Sequence, residues 1–233
     1  QRTGRSVSSE WMLPKLMEMR DQAPEIYYHM DLAFDLCDFL TYRLTGKIKR
    51  SIGSMSYKCL WAADLGFPPR EYLNSLRTDL GNEYINLLRG DICLPGEPAG
   101  VLRPELCIKY GLSSDVVVAA GVLDGHTTLI ALGALKAGDA ALVVGTSNVL
   151  TVQTTKLYPL SDVCGIALDA LTPGLCGIDA GQNCTGDMLE WYVKNALPSF
   201  YFDQADIRGT TPYKILEERI TQPWSNPVSA VDW

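Results

Sequence analysis

The sequence predicts an α/β fold, and three observations carry that prediction. Apolar residues recur at helical spacing through the first half of the chain. A continuous apolar, β-branched run fills residues 116–122. Beyond it, strand-like segments flank two turns, Gly145-Thr146-Ser147 and Pro173-Gly174. Helices first, then strands mixed with helices, is the order expected of an α/β chain.

Taken in order, Ser8-Ser9-Glu10 forms a helix start with an acid near the positive end of the dipole. Trp11, Leu13, Leu16, Met17 and Met19 follow at mostly helical spacing, with Pro14 where a first turn tolerates it. Residues 30–45 read as a second helix, with Leu32, Leu36, Phe39, Leu40 and Leu44 on one face and Gly46 as its C′ residue. Residues 70–76 and 83–89 read as short helices, 93–100 as a loop marked by Pro95 and Pro98, and 104–112 as a short helix ending near Gly111. The character changes at Asp115. Residues 116–122 read as a buried strand, and 127–135 as a helix. Strands are expected at 140–144 and 149–154, and a further pair at 165–171 and 175–179. Helices are expected at 186–196 and 213–220, and residues 229–233 read as the start of one more strand.

Bulk properties narrow the function. The 233 residues are 47% apolar, enough for a sizeable core. A net charge of −7 disfavours a nucleic-acid or anionic-membrane surface, while leaving room for a local phosphate site. No apolar run approaches the roughly 20 residues that span a bilayer. The seven cysteines form no Cys-x-x-Cys pair, and only two histidines are present, so reduced thiols in a cytoplasmic protein are expected and no metal site is. No heptad or isolated apolar patch marks an interface, which leaves the oligomeric state open. The chain opens Gln1-Arg2-Thr3-Gly4 without an initiator Met and ends abruptly after Ala230-Val231-Asp232-Trp233, as an incomplete piece of a longer polypeptide would.

Four places carry candidate chemistry, and each reads two ways. Asp124, after a strand-like run, suits a general base for a hydroxyl, or else an N-cap for the helix beginning near Gly125. Gly145, Thr146 and Ser147 suit an anion-binding nest, or else an ordinary hairpin turn; no Gly-x-x-x-x-Gly-Lys-Ser/Thr loop occurs. Asp179 and Gln182, in Asp179-Ala180-Gly181-Gln182, suit the directional hydrogen bonds of a polyol, or else a strand-end turn. Lys58 lies among aromatics, where a lysine usually snorkels, and His126 reads as a structural hydrogen-bonding residue.

Several motifs occur together in register: Glu10-Trp11-Met12-Leu13-Pro14-Lys15, Leu44-Thr45-Gly46, Tyr57-Lys58-Cys59-Leu60-Trp61, Asp124-Gly125-His126, Gly145-Thr146-Ser147, Asp179-Ala180-Gly181-Gln182 and Gly186-Asp187. In order and spacing the whole chain resembles the FGGY carbohydrate kinases, and within them the branch that phosphorylates L-ribulose in arabinose catabolism. Residues 228–233 resemble a segment of that branch as well. The resemblance implies a partial actin-like, RNase H-like ATPase fold with parts of two domains. Residues 1–136 would belong to the sugar-binding domain and 137–233 to the nucleotide-binding domain. It implies ATP with Mg²⁺, and a small-molecule ketopentose phosphorylated on its terminal hydroxyl. Asp124 would be the catalytic base, Lys58, Asp179 and Gln182 would bind the sugar, and Gly145, Thr146 and Ser147 would lie near the nucleotide phosphates. Another pentulose or polyol kinase of the family, or a non-catalytic sugar-binding relative, is the alternative.

The chain departs from the branch in places. The branch usually carries Glu where Asp179 stands; one methylene less retracts the carboxylate by about 1.5 Å, so that a direct sugar contact would become water-mediated. It also carries Ala in place of Gly125 and a Thr-Cys-His continuation in place of Asn148-Val149-Leu150. The family's Asp-x-Gly-Thr phosphate loop and Gly-rich adenosine loop do not occur among the 233 residues, so the polypeptide alone is expected to be inactive.

Overall fold

A computed structural model describes residues 7–220. The strand start expected at 229–233, and the family-like segment at 228–233, lie outside the described residues. In chain order the elements are α1 (Met12–Gln22), α2 (Pro24–Tyr27), α3 (Leu36–Thr45), β1 (Lys49–Ser51), α4 (Ile52–Lys58), α5 (Arg70–Leu76), α6 (Leu80–Leu87), β2 (Asp91–Cys93), β3 (Pro98–Val101), α7 (Pro104–Tyr110) and β4 (Val117–Ala119). A 3₁₀ turn (Asp124–His126) leads into α8 (Thr127–Leu132), β5 (Ala140–Val144), β6 (Asn148–Thr154), β7 (Gly165–Leu168), β8 (Cys176–Gln182), α9 (Gly186–Ala196), α10 (Ser199–Arg208) and α11 (Pro212–Ile220).

The chain forms two units. One comprises residues 7–143 with 149–182, the other 144–148 with 183–220. The first holds a helical core in which Leu13, Leu16, Met55, Leu73, Leu80, Tyr84 and Leu88 pack together. It also holds a second cluster of Tyr57, Leu129, Ala141, Ala167, Ala170 and Leu171. The second cluster lies where α4 meets a four-stranded sheet of order β5-β6-β8-β7, with β7 and β8 antiparallel. Gly177 of β8 marks the closeness of that contact: a Cβ there would lie 2.4 Å from the Tyr57 hydroxyl. The second unit is helical, built from α9, α10 and α11, with Val193, Ala205 and Ile215 buried.

Most expected elements form, and the exceptions have identifiable causes. The helix expected over 30–45 begins only at Leu36. Upstream, the Ala33 N–H donates to the Leu87 carbonyl (2.9 Å) and the Ala33 carbonyl accepts from Arg50 Nη1 (2.7 Å), so tertiary bonds claim that backbone. The apolar stripe of α3 is also not its buried face. Asp38, Thr41 and Thr45 are buried, while Leu36, Phe39, Leu40 and Leu44 are exposed. Asp38 Oδ1 accepts the Ser51 N–H (2.7 Å) and Oδ2 lies 4.0 Å from Arg50 Nη1, whose side chain is 1% exposed; satisfying these groups fixes the rotation of the helix.

The strand expected to be buried over 116–122 shortens to β4, an exposed partner of β3 with Val117 58% accessible. It ends where the Ala120 N–H turns to the Glu97 carbonyl (2.8 Å) and Gly121 meets α3. The segment 93–100, expected to be loop, contributes the end of β2 and the start of β3, with Pro98 at a first strand position that needs no ladder donor. The helix expected at 83–89 begins three residues earlier, at Leu80. α2, β1, α4 and α10 are additional to the expected elements; α10 is bracketed by Pro198 before it and Gly209 at φ +59° after it. All seven cysteines are free thiols.

Candidate functional site

Asp124 opens the 3₁₀ turn and is exposed. Its Oδ1 accepts the N–H of Gly125 (2.8 Å) and its carbonyl accepts the Thr127 hydroxyl (2.5 Å). The carboxylate therefore heads a short turn closed by local bonds, with its side chain reaching solvent. A Cβ on Gly125 would meet nothing within 4 Å, so packing does not demand the glycine at that position.

Two residues on, His126 points the other way and is 5% exposed. Its Nε2–H donates to Asp179 Oδ2 (2.7 Å), and Asp179 Oδ1 accepts the Thr151 hydroxyl (2.7 Å). Asp179 is thus not at a strand-end turn. It lies within β8, buried, with both oxygens occupied by protein groups. The Tyr57 ring meets the His126 ring edge-on at 4.8 Å between centroids. Burial, with Asp179 and Cys176 nearby, holds the Tyr57 phenol well above the usual tyrosine range. The Tyr57 hydroxyl and His126 Nδ1 are buried and have no hydrogen-bond partner among the described residues.

Lys58 follows Tyr57 at the end of α4 and lines a cavity of about 470 Å³ together with Glu10, Lys15, Phe34, Asp35 and Leu36. Its lining sets two acids and two lysines among methionine, leucine, alanine and Phe34 side chains, a mixture that offers a small ligand hydrogen bonds on an apolar wall. The loop leading to Asp124 is pressed against α3: a Cβ on Gly121 would lie 2.8 Å from the Cys37 carbonyl oxygen. A wider groove of about 940 Å³, lined by Lys47, Lys49, Arg89, Asp91, Gly100 and Val117 among others, holds none of the candidate catalytic, sugar-binding or phosphate-binding residues. Gln182 is exposed at the end of β8.

Gly145, Thr146 and Ser147 form the turn between β5 and β6 and belong to the second unit. The Gly145 N–H donates to the Ser147 carbonyl (3.0 Å), so a nest here draws on other donors. The Thr185 N–H donates to the Thr146 carbonyl (3.0 Å), which ties the turn to the start of α9. Thr185 Oγ1 and Asn148 Oδ1 are buried without partners among the described residues. A hydroxyl-bearing turn beside the first N–H groups of an 11-residue helix fits a phosphate.

Sequence reasoning missed Thr151, Asn148 and Thr185 and the pairing of His126 with Asp179. Its one available signal was a threonine alternating with apolar residues in β6, and that pattern would ordinarily place Leu150 and Val152 inward instead.

No protein-family model matches the chain. Its sequence is 33% identical over 234 residues to a ribulokinase of Halalkalibacterium halodurans, a match covering 100% of this chain and 42% of that protein. It is 32% identical over 232 residues to ribulokinase 2 of Staphylococcus saprophyticus, covering 99% and 42%. The chain thus spans 42% of the length of the curated relatives it matches. Among solved structures, a xylulose kinase from Lactobacillus acidophilus superposes with TM-score 0.70 at 19% identity, covering 95% of this chain and 42% of that one. A xylulose kinase from Brucella ovis superposes with TM-score 0.64 at 25% identity, covering 89% and 39%. The architecture is therefore part of the actin-like ATPase fold of sugar kinases.

Proposed function

We propose that the chain belongs to the FGGY carbohydrate kinases and carries the base and sugar side, with part of the phosphate side, of an ATP-dependent pentulose kinase. The favoured reaction is conversion of L-ribulose to L-ribulose 5-phosphate in the cytoplasm. The observation that carries this reading is 33% identity to a ribulokinase across the whole chain, with Asp124 exposed at the head of its turn. Residues 1–136 are assigned to the sugar-binding domain and 137–233 to the nucleotide-binding domain.

In this reading the sugar lies against Lys58 and the acids of its cavity, with Asp179 and Gln182 behind or beside it. The Asp124 carboxylate accepts the proton of the terminal hydroxyl as that oxygen attacks the γ-phosphorus and the bond to the ADP oxygen breaks. Gly145, Thr146 and Ser147 with the start of α9 receive phosphate oxygens; the orphaned Thr185 hydroxyl can donate to one of them. Mg²⁺ bound with the nucleotide would supply charge neutralisation at the phosphates.

The test is a kinase assay on the complete reading frame that carries this sequence, with L-ribulose, D-ribulose and D-xylulose. The fold likeness to xylulose kinases makes another pentulose kinase the second reading, and a clear preference for D-xylulose would select it. Asp124→Asn is expected to lower kcat by about 10²–10⁴-fold with the sugar KM little changed. Unchanged turnover would remove Asp124 as the base, whereas a complete wild-type protein that binds the sugar without phosphorylating it would select the non-catalytic, sugar-binding alternative.

A further inference from the structure

We infer that His126, clamped by Asp179, is a positioning hub that sets Asp124, and that Asp179 acts on the reaction through this hub instead of by touching the sugar. The inference rests on the kinase reading above. Its geometry is independent of that reading.

Both oxygens of Asp179 are committed inside the protein, one to His126 Nε2 and one to the Thr151 hydroxyl, each at 2.7 Å. A carboxylate held by two charge-assisted bonds in a buried setting is stiff. His126 is the last residue of the three-residue turn that Asp124 begins. Over so short a turn, fixing the imidazole fixes the backbone from which the Asp124 side chain projects. The same imidazole packs edge-on against Tyr57, the residue before Lys58. Tyr57 has little freedom of its own, since its hydroxyl abuts Gly177 of β8, the strand that carries Asp179. The imidazole is thus gripped by Asp179 on one side and packed against Tyr57 on another, and it ends the turn that carries Asp124. Misplacing a reacting group by about 1 Å can cost on the order of 100-fold in rate, so such a hub is worth a measurable fraction of turnover.

The experiment uses the complete reading frame carrying His126→Phe, which keeps a ring against Tyr57, and separately Asp179→Asn, which keeps the size of the carboxylate. Both are also made on an Asp124→Asn background, with L-ribulose and ATP as substrates. A positioning role predicts that each single variant lowers kcat by about 10–100-fold with the sugar KM changed less than about 3-fold. It predicts little further loss on the Asp124→Asn background, because the hub acts through that residue. Thr151→Val, which removes one of the two bonds to Asp179, is expected to give a smaller fall in kcat of the same kind. As a readout apart from turnover, the 233-residue chain has only two histidines, so ring ¹⁵N NMR of His126 is resolvable. Its Nε2 signal is expected to shift in Asp179→Asn while that of His29 stays put. A raised KM with unchanged kcat in Asp179→Asn would return Asp179 to a sugar contact and overturn the inference. So would equal losses on both backgrounds, or an unmoved His126 signal. Failure of the kinase reading shows itself separately, as a wild-type protein without pentulose kinase activity.

Discussion

Helix α6 and strand β6 bury opposite kinds of face. α6 turns Leu80, Tyr84 and Leu87 into the helical core, as their apolar spacing dictates. β6 turns Thr151 and Gln153 inward, at 2% and 0% exposure, and leaves Leu150 39% exposed. α3 sides with β6, burying Asp38, Thr41 and Thr45. What separates the two kinds of element is a buried carboxylate. Asp179 draws in Thr151 and His126, and Asp38 draws in Arg50 and the Ser51 N–H. Leaving one buried polar group unpaired costs about 1–3 kcal/mol. Burying a leucine returns about 1.5–3 kcal/mol. With two or more partners at stake around each carboxylate, the polar face wins.

The comparison is sharpened most by Leu80→Ala, which tests the apolar kind of packing. Leu80 is fully buried, so the substitution is expected to cost about 2–5 kcal/mol in urea unfolding of the 233-residue chain. A cost below about 1 kcal/mol would mean that the helical core is not close-packed there.

Asp38 tests the polar kind by pH. Burial raises its pKa from 3.8 to about 6, against the opposing pull of the Ser51 N–H and Arg50 and with a further push from Asp35. A carboxyl whose folded pKa is raised contributes stability below its unfolded pKa, and that contribution is lost as pH climbs through about 6. Relative to wild type, Asp38→Asn is therefore expected to gain stability between pH 4 and 7, by up to about 3 kcal/mol for a shift of two units, and to level off above. A stability difference that stays flat over that range would show that Asp38 does not sit in the low-dielectric setting described.

The smallest effect is the sharpest discriminator. A reading from apolar spacing makes Leu40 a core residue of α3, whereas it is 53% exposed. Leu40→Ser is expected to leave the unfolding free energy of the 233-residue chain within about 0.5 kcal/mol. A loss near that of Leu80→Ala would restore the apolar face of α3 to the interior and break the comparison.

Legibility follows the same division. Helices α5, α7 and α9 are readable from local signals: Glu71 in the first turn of α5, Pro104 and Gly111 bracketing α7, and the run Met188, Leu189, Trp191, Tyr192 and Val193 in α9. So is the β7–β8 hairpin, whose turn places Gly174 at φ +82° and bonds its N–H to Asp169. Asp124 and Gly145-Thr146-Ser147 could be singled out because a turn chemistry is written in neighbouring residues. The start of α3 could not be placed, because Ala33 is held by Leu87 and Arg50, partners remote in sequence. The setting of Asp179 was misjudged for the same reason: a strand-end acid and a buried carboxylate have the same neighbours in the chain.

By itself, then, the sequence determined the α/β class, most element positions, the register of the kinase-like motifs and the residues worth testing. Capping, turn geometry and periodicity act over a few residues and leave their mark locally. Only the tertiary structure decided which face of α3 and β6 goes inward, and which partners occupy Asp179. Those partners lie 53 and 28 residues away along the chain. A buried carboxylate takes whatever donors the fold brings to it, and no local pattern records which ones will arrive.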